Sequence, residues 1–146
     1  MKVHLATKFA MIVHRRILTK DRIVYLLVGK KSFKYKTGRS RIAYIGTSKR
    51  GAKRIASSAA ANAEEMFSKH GSKEMHVFIA SSTGRSGLAT WELLERAFLA
   101  EFLNNYKELP FCNKQGKKYK FTDELDKLFR QKRIRELLMT FDASEH

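Results

Sequence analysis

Three segments of the chain are rich in β-branched, aromatic and aliphatic residues and have the length of strands. Residues 22–29 (RIVYLLVG) form an apolar run without polar alternation, which is typical of a strand covered on both faces. Residues 41–46 (RIAYIG) and 74–80 (EMHVFIA) are the other two. Between the first two, residues 30–40 alternate basic with aromatic side chains up to a glycine. The pattern predicts a hairpin with a long basic loop.

Three further segments place apolar residues at helical spacing. Residues 51–69 are followed by a His-Gly-Ser sequence, which favours a helix end, and residues 88–106 precede a proline that ends the second helix. Residues 122–141 begin with a threonine and an aspartate that suit the start of a helix, so one third helix is predicted there.

The order strand, strand, helix, strand, helix, helix in 146 residues predicts a single α+β domain. We expect a small, mainly antiparallel three-stranded sheet flanked by helices. Residues 1–20 are predicted to form an N-terminal strand or arm, residues 21–116 the core, and residues 117–146 a C-terminal helix packed on that core.

Positive charge is strong and unevenly placed. The formal net charge is +16, and no Asp or Glu occurs between Arg22 and Ala63. Such a concentrated basic region predicts nucleic acid as the partner. Phe33 and Tyr35 lie between the lysines and could stack on bases, whereas the alternative is a solvated hairpin tip. The expected contacts to nucleic acid are Lys30, Lys31, Lys34, Lys36, Arg39, Arg41, Lys49, Arg50 and Lys53.

Several chemistries find little support in the residues. Cys112 is the single cysteine, which excludes a disulfide framework and a Cys-rich zinc site. Gly46 and Gly51 have the spacing of a phosphate-binding loop, but Ala52 stands where its lysine is needed. No histidine pair has helical spacing, and no segment has transmembrane length. We expect a cytoplasmic protein with no membrane partner.

Glu95 stands within the apolar stripe of the second helix. A helical wheel projects it near the direction of Trp91, Phe98 and Phe102. Since a buried carboxylate is unfavourable without a partner, either a salt bridge to an arginine such as Arg54 or a bound cation would explain it.

The ordered set of these residues resembles the GIY-YIG nuclease superfamily. Tyr25 in IVYLLVG matches the tyrosine of the first family element, and residues 44–46 (YIG) reproduce the second. Arg54 stands ten residues after the second tyrosine, as in the family, and Glu95 and Asn113 match the later glutamate and asparagine. The resemblance covers residues 22–113 and five elements in family order.

The chain departs from the family pattern at some positions. Ile23 and Val24 precede the first tyrosine in place of Gly and Ile, and the spacer between the two tyrosine elements is longer than typical. Ser58 stands where many members have a histidine, so a histidine general base is not expected. Glu101 lies twelve residues before Asn113, a common family spacing, but it projects to the flank of the apolar stripe. Glu95 is therefore the preferred glutamate, with Glu101 as the alternative.

The resemblance implies a metal-dependent endonuclease that hydrolyses phosphodiester bonds, in DNA in preference to RNA. It implies catalytic roles for Tyr25, Tyr44, Arg54, Glu95 and Asn113, with one divalent cation, Mg²⁺ or Mn²⁺, held by Glu95. Either tyrosine could act on the attacking water. Cutting both strands of a duplex would favour a homodimer. The alternatives are a catalytically inactive nucleic-acid-binding module with the same fold and a structural basic protein of the ribosomal type.

Overall fold

The structure is a computed structural model that describes residues 21–82 and 88–143. The strand or arm predicted at residues 1–20 lies outside the described residues, as do residues 83–87 of the loop predicted after the third strand.

Among the described residues, the sheet has three antiparallel strands, with β1 (Ile23–Tyr35) between β2 (Gly38–Ser48) and β3 (Met75–Ala80). The central position of β1 explains its continuous apolar run, because residues 23–28 are all buried whichever face they point to. The predicted α+β class with a small antiparallel sheet flanked by helices is confirmed.

The predicted long basic loop between β1 and β2 is wrong. Both strands extend through that region, and the turn between them consists of Lys36 and Thr37 alone. The register of the hairpin shifts between Val28 and Phe33, where β1 carries extra residues relative to β2. The alternation of basic and aromatic residues is therefore the period of a strand with one buried and one exposed face.

The aromatic residues of this extension belong to the core. Phe33 and Tyr35 are 5% and 4% exposed, respectively, and the Tyr35 ring packs against Phe102 and Tyr106. The Tyr35 hydroxyl donates a hydrogen bond of 2.6 Å to the carbonyl of Ile42. The expectation that these two rings stack on nucleic-acid bases is consequently wrong.

In the part of the chain that the structure describes, four helices flank the sheet. Helix α1 (Ala52–Glu64) continues as a π-helical turn (Glu65–Lys69), and α2 (Thr90–Tyr106) packs on β1 and β2. Helix α3 (Asp123–Phe129) is followed by α4 (Gln131–Ala143), which packs on α2 and β2. Within the described ranges, no helix is both long enough and apolar enough to cross a membrane.

The single C-terminal helix predicted over residues 122–141 is two helices, broken at Arg130. In a continuous helix, the apolar positions Leu125 and Phe129 would be followed four residues later by Arg133. The buried residues of α4 are instead Ile134 and Leu138. A continuous helix would bury the arginine, and the break shifts the apolar stripe by one residue. Arg130 has a φ of 56° at the break.

Candidate active site

Two tyrosines lie side by side on one face of the hairpin. Tyr25 on β1 stands opposite Gly46 on β2, and Tyr44 stands opposite Leu27, so the two tyrosines are diagonal neighbours. Their ring centroids are 5.7 Å apart, with the planes tilted by 39°. The two tyrosines therefore share one face of the sheet.

Gly46 is needed because the Tyr44 ring lies across it. A Cβ atom at position 46 would stand 2.5 Å from Cε1 of Tyr44 and 2.6 Å from its hydroxyl oxygen. The third residue of the YIG sequence thus provides the space in which the second tyrosine rests.

Replacing Gly46 with Ala is expected to destabilise the fold by about 1–3 kcal/mol, as overpacking of a filled site does. The Tyr44 ring would have to leave its position to relieve the contact. Urea unfolding of G46A, Y44A and the double variant would measure this as a double-mutant cycle. The penalty should largely vanish in the Tyr44→Ala background, and an equal penalty in both backgrounds would mean that the ring is not its cause.

A tight turn connects β2 to α1 and positions Arg54. The buried Ser48 hydroxyl donates to the carbonyl of Gly51 and accepts a hydrogen bond from the amide of Arg50. Gly51 has a φ of 58° and a ψ of −134°, a backbone conformation that suits glycine. Helix α1 begins at the next residue, so Arg54 lies in its first turn.

Arg54 and Ser58 are four residues apart and lie on one face of α1. Arg54 is exposed and within electrostatic reach of Tyr25, and the buried Ser58 hydroxyl lies beside the Tyr25 hydroxyl. The side chain at position 58 is therefore turned toward the tyrosine pair, where a larger residue would meet the same hydroxyl.

The two tyrosines differ in their access to water. Tyr25 is fully buried, and no described residue makes a hydrogen bond of standard geometry with its hydroxyl. Burial raises the pKa of Tyr25 well above its ordinary value, with the neighbouring Tyr44 adding to the shift. Tyr44 is only half-buried. Tyr44 is consequently the more exposed tyrosine of the pair.

Glu95 lies in the wall of a cavity of about 450 Å³ that is otherwise lined by basic and aromatic side chains. Its carboxylate is half-buried and forms no hydrogen bond or ion pair with a described residue, Arg54 included. Burial raises the pKa of Glu95 to about 6, with Glu92 contributing to that rise and Lys117 opposing it. The cavity residues are Glu95, Arg96, Lys117, Lys118, Tyr119 and Lys120.

The expected positions of the two glutamates relative to the core were wrong. Glu101, expected on the flank of the apolar stripe, is 0% exposed, whereas Glu95 is half-buried. Arg135 and Gln131 of α4 each donate a hydrogen bond of 2.6 Å to the Glu101 carboxylate. Helix α4 covers α2 on that side, which a helical wheel of α2 alone cannot reveal. Both Glu101 oxygens therefore have protein partners.

Tyr119 connects the two halves of the site and was missed by sequence analysis. It is half-buried, and burial raises its pKa, with the charge of Glu95 adding to the shift, Arg96 opposing it and the nearby Tyr44 contributing. It thus lies within electrostatic reach of both the glutamate on α2 and the exposed tyrosine on β2. The segment between Pro110 and α3 has no periodic pattern, so only the tertiary fold reveals this position.

Asn113 closes the outer edge of β2 beside Tyr44. Its amide oxygen accepts from the backbone N–H of Ile45 at 3.0 Å, and its amide nitrogen donates to the Ile45 carbonyl at 2.8 Å. The backbone N–H of Cys112 bonds to the carbonyl of Ala43. The Asn113 side chain therefore substitutes for a neighbouring strand and holds the loop against β2.

The basic residues predicted to contact nucleic acid fall into two groups. Lys31, Lys34, Lys36, Arg50 and Lys53 are exposed. The other four form contacts within the protein, although Lys30, Arg39 and Lys49 are exposed as well. Lys30 pairs with Glu74 at 2.7 Å and Lys49 with Glu92 at 3.8 Å, while Arg39 bonds Ser32, and Arg41 is half-buried and donates to the carbonyl of Gly29.

The donor set around Glu95 suits a hard divalent cation only if other oxygens complete its shell. No three His, Cys, Asp or Glu side chains within residues 21–82 and 88–143 are grouped so as to hold a metal ion. A lone carboxylate without a protein partner is an oxygen ligand of the kind that Mg²⁺ and Mn²⁺ accept together with water and phosphate oxygens. The Glu95 carboxylate is therefore a suitable type of ligand for such an ion.

Cys112 does not have the character of a reactive thiol. Burial raises its pKa to about 12, and Glu65 adds to the shift while Lys69 opposes it.

The chain matches no family model, no curated protein and no solved structure with which it was compared. The geometry of the site is therefore the basis for any statement about function.

Proposed function

We propose that this chain is a metal-dependent endonuclease that hydrolyses phosphodiester bonds of nucleic acid, with DNA as the preferred substrate. The proposed site consists of Tyr25, Tyr44, Arg54, Glu95 and Asn113 with one divalent cation, Mg²⁺ or Mn²⁺. The strong positive charge of the region from Arg22 to Ala63 supports a polyanionic substrate.

Glu95 carries the proposal, by contrast with the other glutamate of the same helix. Glu101 is buried and satisfied by an arginine and a glutamine, as expected of a structural residue. Glu95 is partly removed from water without a bonding partner among the described residues, and its pKa is raised to about 6. A carboxylate in that condition reduces the stability of the fold, which favours a role in binding a cation.

The roles of the other residues follow from their exposure. A cation at Glu95 would supply Lewis acidity at the phosphate and stabilise the leaving oxygen. Arg54, exposed in the first turn of α1, would neutralise negative charge that develops on the phosphoryl oxygens. Tyr44 would orient the attacking water, because it is partly exposed whereas Tyr25 is fully buried.

Tyr25 and Asn113 would act by positioning. The high pKa of Tyr25 keeps it neutral, so that its hydroxyl can donate a hydrogen bond within the tyrosine pair. Both the oxygen and the nitrogen of the Asn113 amide form hydrogen bonds with the backbone of Ile45, the residue after Tyr44. That bonding fits the maintenance of β2 and its loop better than direct contact with phosphate.

A nuclease assay with plasmid DNA, single-stranded DNA and RNA tests the proposal, each with Mg²⁺, Mn²⁺ or EDTA. We expect metal-dependent cleavage that falls about 100-fold or more in Arg54→Ala, as when one electrostatic stabiliser of a transition state is removed. Lys53→Ala removes the same charge from the adjacent position and should lose only a few-fold.

The assay also separates the alternative functions. Equal losses in R54A and K53A would mean that Arg54 acts only through bulk charge. Salt-sensitive binding of nucleic acid without cleavage of any substrate would favour a catalytically inactive binding module. Absence of both binding and cleavage would refute the proposed function.

A further inference from the structure

The cavity beside Glu95 has a basic wall that lies far along the chain from the acid-free region. Lys117, Lys118 and Lys120 line it together with Arg96, so four cations face one carboxylate. All four side chains are exposed, and none forms an ion pair of 4.0 Å or less with a described acid. Close-set like charges in one wall repel each other unless an anion lies between them.

We propose that residues 117–120, here called the lysine strap, bind consecutive phosphates of the nucleic-acid backbone directly alongside Glu95. This inference rests on the proposed function, whose reacting phosphate would lie at the same cavity. It assigns the substrate's backbone to a surface that includes none of the nine basic residues expected from the sequence to contact nucleic acid.

Two features fix the lysine strap in place. Tyr119 is its half-buried residue, and it lies within electrostatic reach of both Glu95 and Tyr44. Upstream, Gly116 has a φ of 87°, a left-handed conformation that turns the chain between the loop held by Asn113 and the strap. The strap is therefore attached to the site at its centre by an aromatic ring, with its lysines free to meet solvent.

Charge geometry favours a nucleic-acid backbone over a small anion as the occupant. A volume of about 450 Å³ is of the size that holds several phosphate and sugar groups rather than one ion. Lysine is a point charge without fixed geometry, which suits contacts to successive phosphates that carry no sequence information. The strap would thus position the strand and leave base recognition to other parts of the chain.

Binding in EDTA tests the lysine strap independently of cleavage. The triple variant Lys117→Gln, Lys118→Gln, Lys120→Gln is titrated with a short fluorescein-labelled DNA duplex at several salt concentrations. We expect binding to weaken about 10- to 100-fold, and the slope of log affinity against log salt to fall by about 2 to 3, since each lost phosphate contact removes close to one unit.

A charge-matched triple variant, Lys69→Gln, Lys73→Gln, Lys127→Gln, is the control, because these exposed lysines do not line the cavity. Equal weakening in both triple variants would overturn the proposal, since bulk charge would then explain the effect. Unchanged binding in the strap variant would overturn it as well. If the wild-type chain binds but does not cut, a loss confined to the strap variant still supports the strap while the nuclease proposal fails.

Discussion

Replacing Glu95 with Gln is expected to abolish metal-dependent cleavage and, at the same time, to stabilise the fold above pH 6. The loss of cleavage should be about 100-fold or more, because a metal ligand contributes several kcal/mol of transition-state stabilisation. The Glu92→Gln variant is the matched control, since Glu92 is an exposed glutamate one turn earlier on the same helix. It should cut within a few-fold of wild type.

The effect on stability follows from the direction of the Glu95 pKa shift. The carboxyl pKa is raised from 4.5 to about 6 in the folded chain, so folding favours its protonated form. The stabilising contribution of that protonated form is fully present below pH 4.5 and is lost as the pH rises through 6. Glu95→Gln should therefore match wild type at pH 4 and exceed it at pH 8.

Thermal unfolding with and without Mg²⁺ completes the test of Glu95. Mg²⁺ should raise the unfolding midpoint of the wild-type chain at pH 8 and leave that of Glu95→Gln unchanged, because only the wild type retains the ligand. Cleavage by the wild type should decline below about pH 6, where Glu95 becomes protonated. Full cleavage by E95Q would exclude Glu95 as the metal ligand. Loss of cleavage in Glu101→Gln with the fold intact would assign the metal to Glu101.

The strands could be predicted from sequence because their signal is local, and the misreading of the hairpin has a local cause too. Residues 23–28 are apolar without interruption, and they form the central strand. Alternating lysines and aromatic residues in the extension have a period of two, which is itself a strand pattern. The many charges favoured the prediction of a loop, although the buried ring of Tyr35 packs on α2 and the buried ring of Phe33 packs against Phe111.

The site was only partly predictable because some of its properties depend on residues distant in sequence. The face shared by Tyr25 and Tyr44 follows from strand pairing, and the turn to Arg54 follows from Gly51. The burial of Glu101 depends on α4 crossing α2, and the position of Tyr119 depends on a loop without periodicity. A helical wheel estimates the burial of a residue from its own helix alone, so it does not include burial by another helix or by a distant loop.

The ion pair between the buried Glu101 and the partly exposed Arg135 is expected to be the most sensitive structural contact of α4. In Arg135→Met the Glu101 carboxylate would remain buried with Gln131 as its one remaining hydrogen-bond donor within the described residues. The buried carboxylate would then keep one neutral donor and no cation, so we expect a loss of about 2 to 4 kcal/mol in the free energy of unfolding. Urea denaturation at neutral pH measures it.

Arg133→Met provides the control for the Arg135 prediction, because Arg133 meets Glu136 at 3.5 Å on the surface of the same helix. An exposed pair of that kind contributes less than about 1 kcal/mol. In a double variant, Arg135→Met with Glu101→Leu, the unpaired carboxylate is gone as well, so much of the lost stability should return. If R135M and R133M are equally stable, Glu101 does not depend on Arg135, and the contrast between a satisfied Glu101 and an unsatisfied Glu95 weakens.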